Sequence, residues 1–303
     1  MVNLPQKQIG CGADEKERLS HMRIYGLDFT SAPTHKSVNG GKAKWLTLAK
    51  CRLSFPQGPL PQLLVEELVK LNVEAPLPLF YEVRRWLDGK YDGSNETAWV
   101  AGIDFPFGMP VAAVEHFQWL AGGVSQTWES YISRIYQNCV SIEQFQEMPE
   151  TWRKESRPKA GKSSKEERVF LPRLADKIGG FGGAQPSSPM KVNPQCNPPV
   201  GRMFYEGARL LQAANVSIYP VRINSSKRVV VEAYPRLVAD HCIGSGEKYK
   251  DGKGLDELRE NIIDKLGNAN NPYKLKVVFE GGSNGLRQQC IRDEKGDTLD
   301  SVL

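Results

Sequence analysis

Three short apolar segments of this sequence end at an acidic side chain. They are GLDF (26–29), GIDFP (102–106) and VVEAYP (230–235), with the acids Asp28, Asp104 and Glu232. Such runs are typical of buried strands, where an unpaired carboxylate is costly to desolvate. Proline follows the second and third acids and ends a strand, so we expect these acids at the rim of a sheet, where a ligand can approach. A single strand-end aspartate is more often a turn residue or helix cap, so the pattern gains its meaning from recurring three times.

The order of the predicted elements indicates a mixed α/β sheet. A strand at 22–29, a turn at Asn39-Gly40 and alternating residues at 44–55 predict antiparallel hairpins. Strands then alternate with helices, which is typical of α/β proteins. Further strands are predicted at 99–106, 216–221 and 228–235. Apolar spacing predicts helices at 60–71, 81–89, 111–120, 127–137, 202–215, 236–242 and 255–267.

Composition excludes several classes of protein. The chain has 303 residues, 40% of them hydrophobic, and it contains no apolar run long enough to span a membrane. The first twenty residues lack the apolar core of a secretory signal. Six scattered cysteines form no C-x-x-C pair, which argues against a zinc ribbon or disulfide framework and favours a reducing, cytoplasmic location. The net charge of +5 permits nucleic-acid binding without requiring it.

Two regions are expected to lie outside the regular fold. Residues 1–21 are polar and aperiodic, which predicts a disordered extension, with Met22 as a candidate start of the native chain. Residues 152–200 are rich in Lys, Gly, Pro and Ser, which predicts a long, mobile insertion. Its basic part is either a solvated loop or a loop that contacts phosphates. The candidate phosphate contacts there are Arg157, Lys159, Lys162 and Lys165.

A fourth acidic segment, GDTLDSVL, ends the sequence at Leu303. Asp297 and Asp300 are three residues apart and would share one face of a helix. Capping of that helix explains Asp297 well and Asp300 less well. The predicted helix has little more than one turn after Asp297, so it looks truncated and would be marginal without tertiary support.

Convergence of these acids would require compensation of their charge. Two carboxylates about 4 Å apart repel by roughly 4 kcal/mol at an effective dielectric constant of 20. Protonation, arginine partners or divalent cations can offset this repulsion. Carboxylate oxygens without adjacent His or Cys ligands suit Mg²⁺ or Mn²⁺, and two such ions can activate water for phosphodiester hydrolysis.

The same segments resemble a known family. G-L-D-F-T, G-I-D-F-P-F-G-M-P, E-A-Y-P and D-x-x-D-S occur in order, and N-P-P-V-G-R-M-F-Y-E-G-A (197–208) precedes the third. From about Met22 to the end, this pattern is similar to the predicted RNase-H-like nucleases of domain of unknown function 429. The resemblance implies a ribonuclease H-like mixed sheet flanked by helices. It also implies a nuclease site of Asp28, Asp104, Glu232 and Asp300, with Asp297 as a further metal ligand.

The leading hypothesis is therefore a single-domain enzyme, at 22–303, that cleaves nucleic acid with two Mg²⁺ or Mn²⁺ ions. In it Asp28 bridges both ions, Asp104 and Glu232 each complete one side, and Asp300 aids the second. Arg202 and Arg236, near the motifs, are further candidate phosphate contacts, and a surface position explains Arg236 equally well. One alternative is a catalytically weak or inactive protein of the same fold that binds nucleic acid. Another is an actin-like ATP-using enzyme, which the lack of a Gly-rich phosphate loop after a strand disfavours.

Overall fold

A computed structural model shows how these segments are arranged. It describes residues 17, 19, 22–29, 45–56, 58, 60–73, 78–91, 98–120, 127–155, 173–177, 189–190, 200–281 and 285–303. The candidate phosphate contacts at 157, 159, 162 and 165 lie outside these ranges, as does most of the predicted extension and insertion.

The described residues form a seven-stranded mixed sheet. Its strands are β1 (Arg23–Asp28), β2 (Trp45–Ser54), β3 (Gln62–Asn72), β4 (Ala98–Ile103), β5 (Ser217–Tyr219), β6 (Lys227–Glu232) and β7 (Lys276–Phe279). The spatial order is β5-β6-β4-β1-β2-β3-β7. β2 is antiparallel to both β1 and β3, whereas β5, β6, β4 and β1 run parallel to one another, as do β3 and β7. The predicted α/β class, with a mixed sheet flanked by helices, is confirmed, whereas the turn predicted at Asn39-Gly40 lies outside the described residues.

Helices cover both faces of the sheet. In chain order they are α1 (Tyr81–Leu87), α2 (Val111–His116), α3 (Trp128–Asn138), α4 (Ile142–Glu155), α5 (Leu174–Lys177), α6 (Val200–Ala213), α7 (Pro235–Ile243), α8 (Asp256–Gly267), α9 (Leu286–Arg292) and α10 (Asp297–Asp300). The helices predicted around 81–89, 111–120, 127–137, 202–215, 236–242 and 255–267 are present.

Each face of the sheet packs into its own apolar core. Leu27 and Ile103 belong to the larger core, which includes buried side chains of α1, α3 and α6. Ala49 and Val65 belong to the second core, which α7, α8 and α9 cover together with the last residues of the chain. Because successive strand residues point to opposite faces, Asp28 and Asp104 face the side of the second core.

The helix predicted at 60–71 is wrong, because this segment is β3. β3 pairs with β2 on one side and β7 on the other, and its register shifts where Cys51 pairs with Val65 and Lys50 with Glu67. The extra residue of this bulge puts Val65 and Leu68 on the same face three positions apart, and both contact the second core. That spacing is the one expected of a helix, which explains the error.

Candidate metal centre

Asp28 and Asp104 emerge side by side from two neighbouring parallel strands. Leu27 pairs with Ile103, so the residues that follow are aligned. The amide of Asp104 continues the ladder by donating to the carbonyl of Leu27 at 3.0 Å. Parallel strands end at the same edge of a sheet, and both carboxylates therefore lie at one rim.

Asp300 reaches the same rim from the C-terminal segment. This segment crosses β1 at Gly26, where an added Cβ atom would lie 2.0 Å from the carbonyl oxygen of Ser301. Only glycine permits so close a backbone approach. Gly26 is two residues before Asp28 and points to the same face, so the crossing brings Asp300 to Asp28.

The three carboxylates form one cluster. Asp28, Asp104 and Asp300 each offer an oxygen, and these oxygens all lie within 4.8 Å of one another. Asp28 is 9% exposed and Asp300 is 4% exposed. Hard oxygen ligands at this spacing and depth fit a divalent cation such as Mg²⁺ or Mn²⁺.

Burial and mutual repulsion disfavour the ionised form of these groups. Burial raises the pKa of Asp104 to about 7, and Asp300 adds to the rise while Lys250 opposes it. Burial likewise raises the pKa of Asp28 well above its usual range, with Lys250 opposing and Asp297 contributing. The pKa of Asp300 is raised by burial in the same way, against the attraction of Lys250. A bound cation would compensate this electrostatic cost.

Two neighbouring residues of the α7–α8 connection hold Asp300 in place. The Tyr249 hydroxyl donates to Oδ1 of Asp300 at 2.8 Å, and the ring of Tyr249 is fully buried. The Lys250 ammonium forms an ion pair with the other oxygen, Oδ2. Both oxygens of Asp300 are therefore oriented by side chains that the motif pattern did not indicate.

Glu232 lies in the same pocket but outside the cluster. The register pairs Ile103 with Glu232, so Ala233, and not Glu232, aligns with Asp104. Glu232 consequently belongs to the opposite face, where the amide of Phe107 donates to its Oε2 at 2.9 Å. The expectation that Glu232 shares the cation cluster with the aspartates is not met, because its strand is offset by one residue.

Arg173 binds the Glu232 carboxylate. Its two terminal nitrogens donate to the two carboxylate oxygens of Glu232 at 2.8 and 2.6 Å. Arg173 also forms an ion pair with the buried Asp176, at 2.7 Å. A two-bond contact of this kind is both strong and geometrically specific.

Asp297 also lies outside the group of three. It lines the pocket, and burial raises its pKa, with Lys250 opposing the shift. Its carboxylate therefore contributes to the negative field around Asp28 without completing the cluster.

Basic side chains surround the acidic floor. The pocket has a volume of about 530 Å³, and the cluster lies within it. Lys248 and Lys295 are exposed at its edge, and Arg236, with 31% of its side chain exposed, also lines it. Arg236 lies over the Tyr249 ring and forms an ion pair with Asp240 at 2.5 Å. Arg236 therefore lies beside the cluster, and its predicted contact with phosphate stays a prediction.

Arg202 does not fit its predicted role as a phosphate contact. It is 3% exposed within α6, and its guanidinium donates to Gln146 at 2.8 Å. A nucleic-acid backbone outside the protein cannot reach a side chain at this depth.

No pattern in the sequence indicated Arg173, Tyr249 or Lys250 as site residues. Arg173 lies at the edge of a basic stretch that gave no periodic signal. Tyr249 and Lys250 belong to EKYKD (247–251), which resembles an ordinary polar loop. Clustered carboxylates need positively charged partners, and this requirement was the one signal that pointed to basic residues near the site.

Comparison with protein-family models, with curated proteins and with solved structures finds no significant match to this chain. Among the described residues, no helix is both long and apolar enough to cross a membrane.

Proposed function

We propose that this protein is a divalent-metal-dependent hydrolase of phosphodiester bonds in nucleic acid, built on a ribonuclease H-like sheet and acting in the cytoplasm. The observation that carries the proposal is the cluster of Asp28, Asp104 and Asp300 at the floor of a pocket edged by basic residues. The acids suit a cation, and the basic edge suits the phosphates of a polyanion. The order of the strands and the resemblance of the motifs support the same assignment.

Different residues of the chain would have different roles in such a reaction. Asp28, Asp104 and Asp300 would hold Mg²⁺ or Mn²⁺, which when bound supplies Lewis acidity to the phosphate and lowers the pKa of water. The hydrogen bond from Tyr249 orients the carboxylate of Asp300, as residues outside the ligand set do in metal sites. Arg236, Lys248 and Lys295 would contact backbone phosphates and fix the position of the strand.

A nuclease assay with a matched pair of variants tests this proposal. Asp28→Asn should lower Mg²⁺- or Mn²⁺-dependent cleavage of RNA, DNA or an RNA–DNA hybrid by more than about 100-fold, since even residues outside the ligands cost up to that much. Asp251→Asn is the control, because Asp251 lines the same pocket, is exposed and lies outside the cluster. Equal activity of Asp28→Asn and the wild type would reject the proposal.

A second candidate is a protein of the same fold that binds nucleic acid without cleaving it. The ion pair between Arg173 and Glu232 favours this candidate. It occupies the carboxylate of Glu232, which is the fourth acid that the nuclease pattern requires. The same assay separates the two functions. Salt-sensitive binding of the substrates without metal-dependent cleavage would support the second candidate.

A further inference from the structure

Among the described residues, Lys250 forms an ion pair with the carboxylate cluster. Its ammonium pairs with Oδ2 of Asp300, and it is the strongest attractive partner of Asp28 as well. Lys250 also acts electrostatically on Asp104 and Asp297. One ammonium thus attracts all four aspartate carboxylates of the pocket.

We propose that Lys250 occupies the position of a second metal ion, so that the cluster binds a single divalent cation. This inference rests on the proposed function, since it concerns the metal stoichiometry of the same site. The sequence-based expectation was two ions, and the geometry around Asp300 points instead to one ion beside a fixed ammonium.

Charge balance supports a single ion. The three clustered carboxylates carry three negative charges at most, and one ammonium with one divalent ion balances them, while Asp297, outside the cluster, adds a fourth charge when it is ionised. Glu232 is left out of this count because it lies on the opposite face of the sheet, where Arg173 is shared between it and Asp176. A second divalent ion would leave the floor with excess positive charge in a buried setting, which is costly.

Space at Asp300 supports the same conclusion. Two ions in a shared site lie about 3.5 to 4 Å apart, and both need oxygens of the bridging carboxylates. The Oδ1 atom of Asp300 accepts from Tyr249, and Oδ2 is paired with Lys250. One ion can use a remaining lone pair of Asp300, whereas a second ion would lie against the Lys250 ammonium and be repelled by it.

Lys250 is then a positioning residue that sets metal stoichiometry. It holds Asp300 toward Asp28 and supplies a positive charge that is independent of the ion concentration. When the lysine is removed, the site retains its carboxylates and loses the competing charge, and it should accept a second ion.

Titration calorimetry with Mn²⁺ tests this directly. The wild type should bind one ion and Lys250→Met should bind two. Lys253→Met is the matched control, because it removes the same charge at an exposed position three residues away, and it should bind one. A Lys250→Met variant that binds only one ion overturns the inference.

Electron paramagnetic resonance of the Mn²⁺-loaded wild type keeps the test decisive even if Lys250→Met fails to fold. An isolated six-line Mn²⁺ signal is expected, and the exchange-coupled signal of a manganese pair would overturn the inference while leaving the proposed function intact. A wild type that binds no Mn²⁺ would overturn both, so the two failures are distinguishable.

Discussion

Asp28, Asp104 and Asp300 illustrate the cost of collecting like charges in a protein interior. Asp28 and Asp300 are almost completely buried, and each of the three faces the others within 4.8 Å. Lys250 compensates part of the charge, and burial still raises the pKa of all three aspartates against its attraction. The residual charge is what we expect a divalent ion to neutralise.

The raised pKa of Asp104 predicts that metal binding depends on pH. The folded protein holds this proton up to about pH 7, whereas the unfolded chain releases it near pH 4. In the metal-free protein, the stabilising contribution of the protonated group is therefore complete below about pH 4 and is lost as pH rises through about 7. A metal ion needs the ionised carboxylate, so its affinity should rise with pH over the same interval.

Calorimetric titration with Mn²⁺ in buffers of different ionisation enthalpy measures this coupling. We expect proton release on binding at pH 6 that falls as pH approaches 8. Asp104→Asn should reduce the release, whereas Asp251→Asn should leave it unchanged. A proton count that is zero at every pH would contradict the assignment of Asp104 to the metal centre.

At the scale of the elements, the crossing of the C-terminal segment over β1 builds the site. Gly26 is the contact point, because Ser301, the residue after the short helix α10, lies directly against it. The amide and hydroxyl of Thr298 donate to Asp293 at 2.8 and 2.6 Å, which holds the helix start. A helix of four residues is not stable by itself, so tertiary contacts of this kind must maintain it.

Gly26→Ala should therefore disrupt the site from a distance. The new methyl group would lie 2.0 Å from a backbone oxygen of Ser301, so the C-terminal segment must move. We expect a thermal midpoint lower by several degrees, on the order of the 1–3 kcal/mol cost of overpacking, and weaker Mn²⁺ binding. Gly58→Ala is the control, because nothing lies within 4 Å of its added Cβ atom. Unchanged melting and unchanged Mn²⁺ affinity of Gly26→Ala would show that the crossing is not needed.

The sequence predicted elements better than it predicted their registers. Strand-end positions of Asp28 and Asp104 follow from local apolar pattern, and these two do meet. Glu232 has the same local pattern, yet its strand pairs one residue out of step. A bulge in β3 similarly changed an apparent helical spacing into a strand. Register depends on pairing between distant segments, which no local window contains.

At the scale of the whole molecule, the site lies at one edge of the sheet, where the ends of β1 and β4 meet the C-terminal segment. The larger core fixes the strand ends that carry Asp28 and Asp104, and the second core fixes α10. The resemblance of the motifs anticipated that Asp300 joins them. The acids indicate that basic partners are needed, but not which residues they are. Arg173 lies 59 residues before Glu232 in the chain, and Lys250 lies 50 residues before Asp300.

A crystal structure of the protein soaked with Mn²⁺, with anomalous differences recorded near the manganese edge, tests the central claim most directly. The account predicts an anomalous peak bounded by Asp28, Asp104 and Asp300, about 2.0 to 2.3 Å from an oxygen of each. Asp28→Asn crystals treated in the same way should show a weaker peak or none. A structure in which the three carboxylates point apart, with no anomalous peak between them at saturating Mn²⁺, would contradict it.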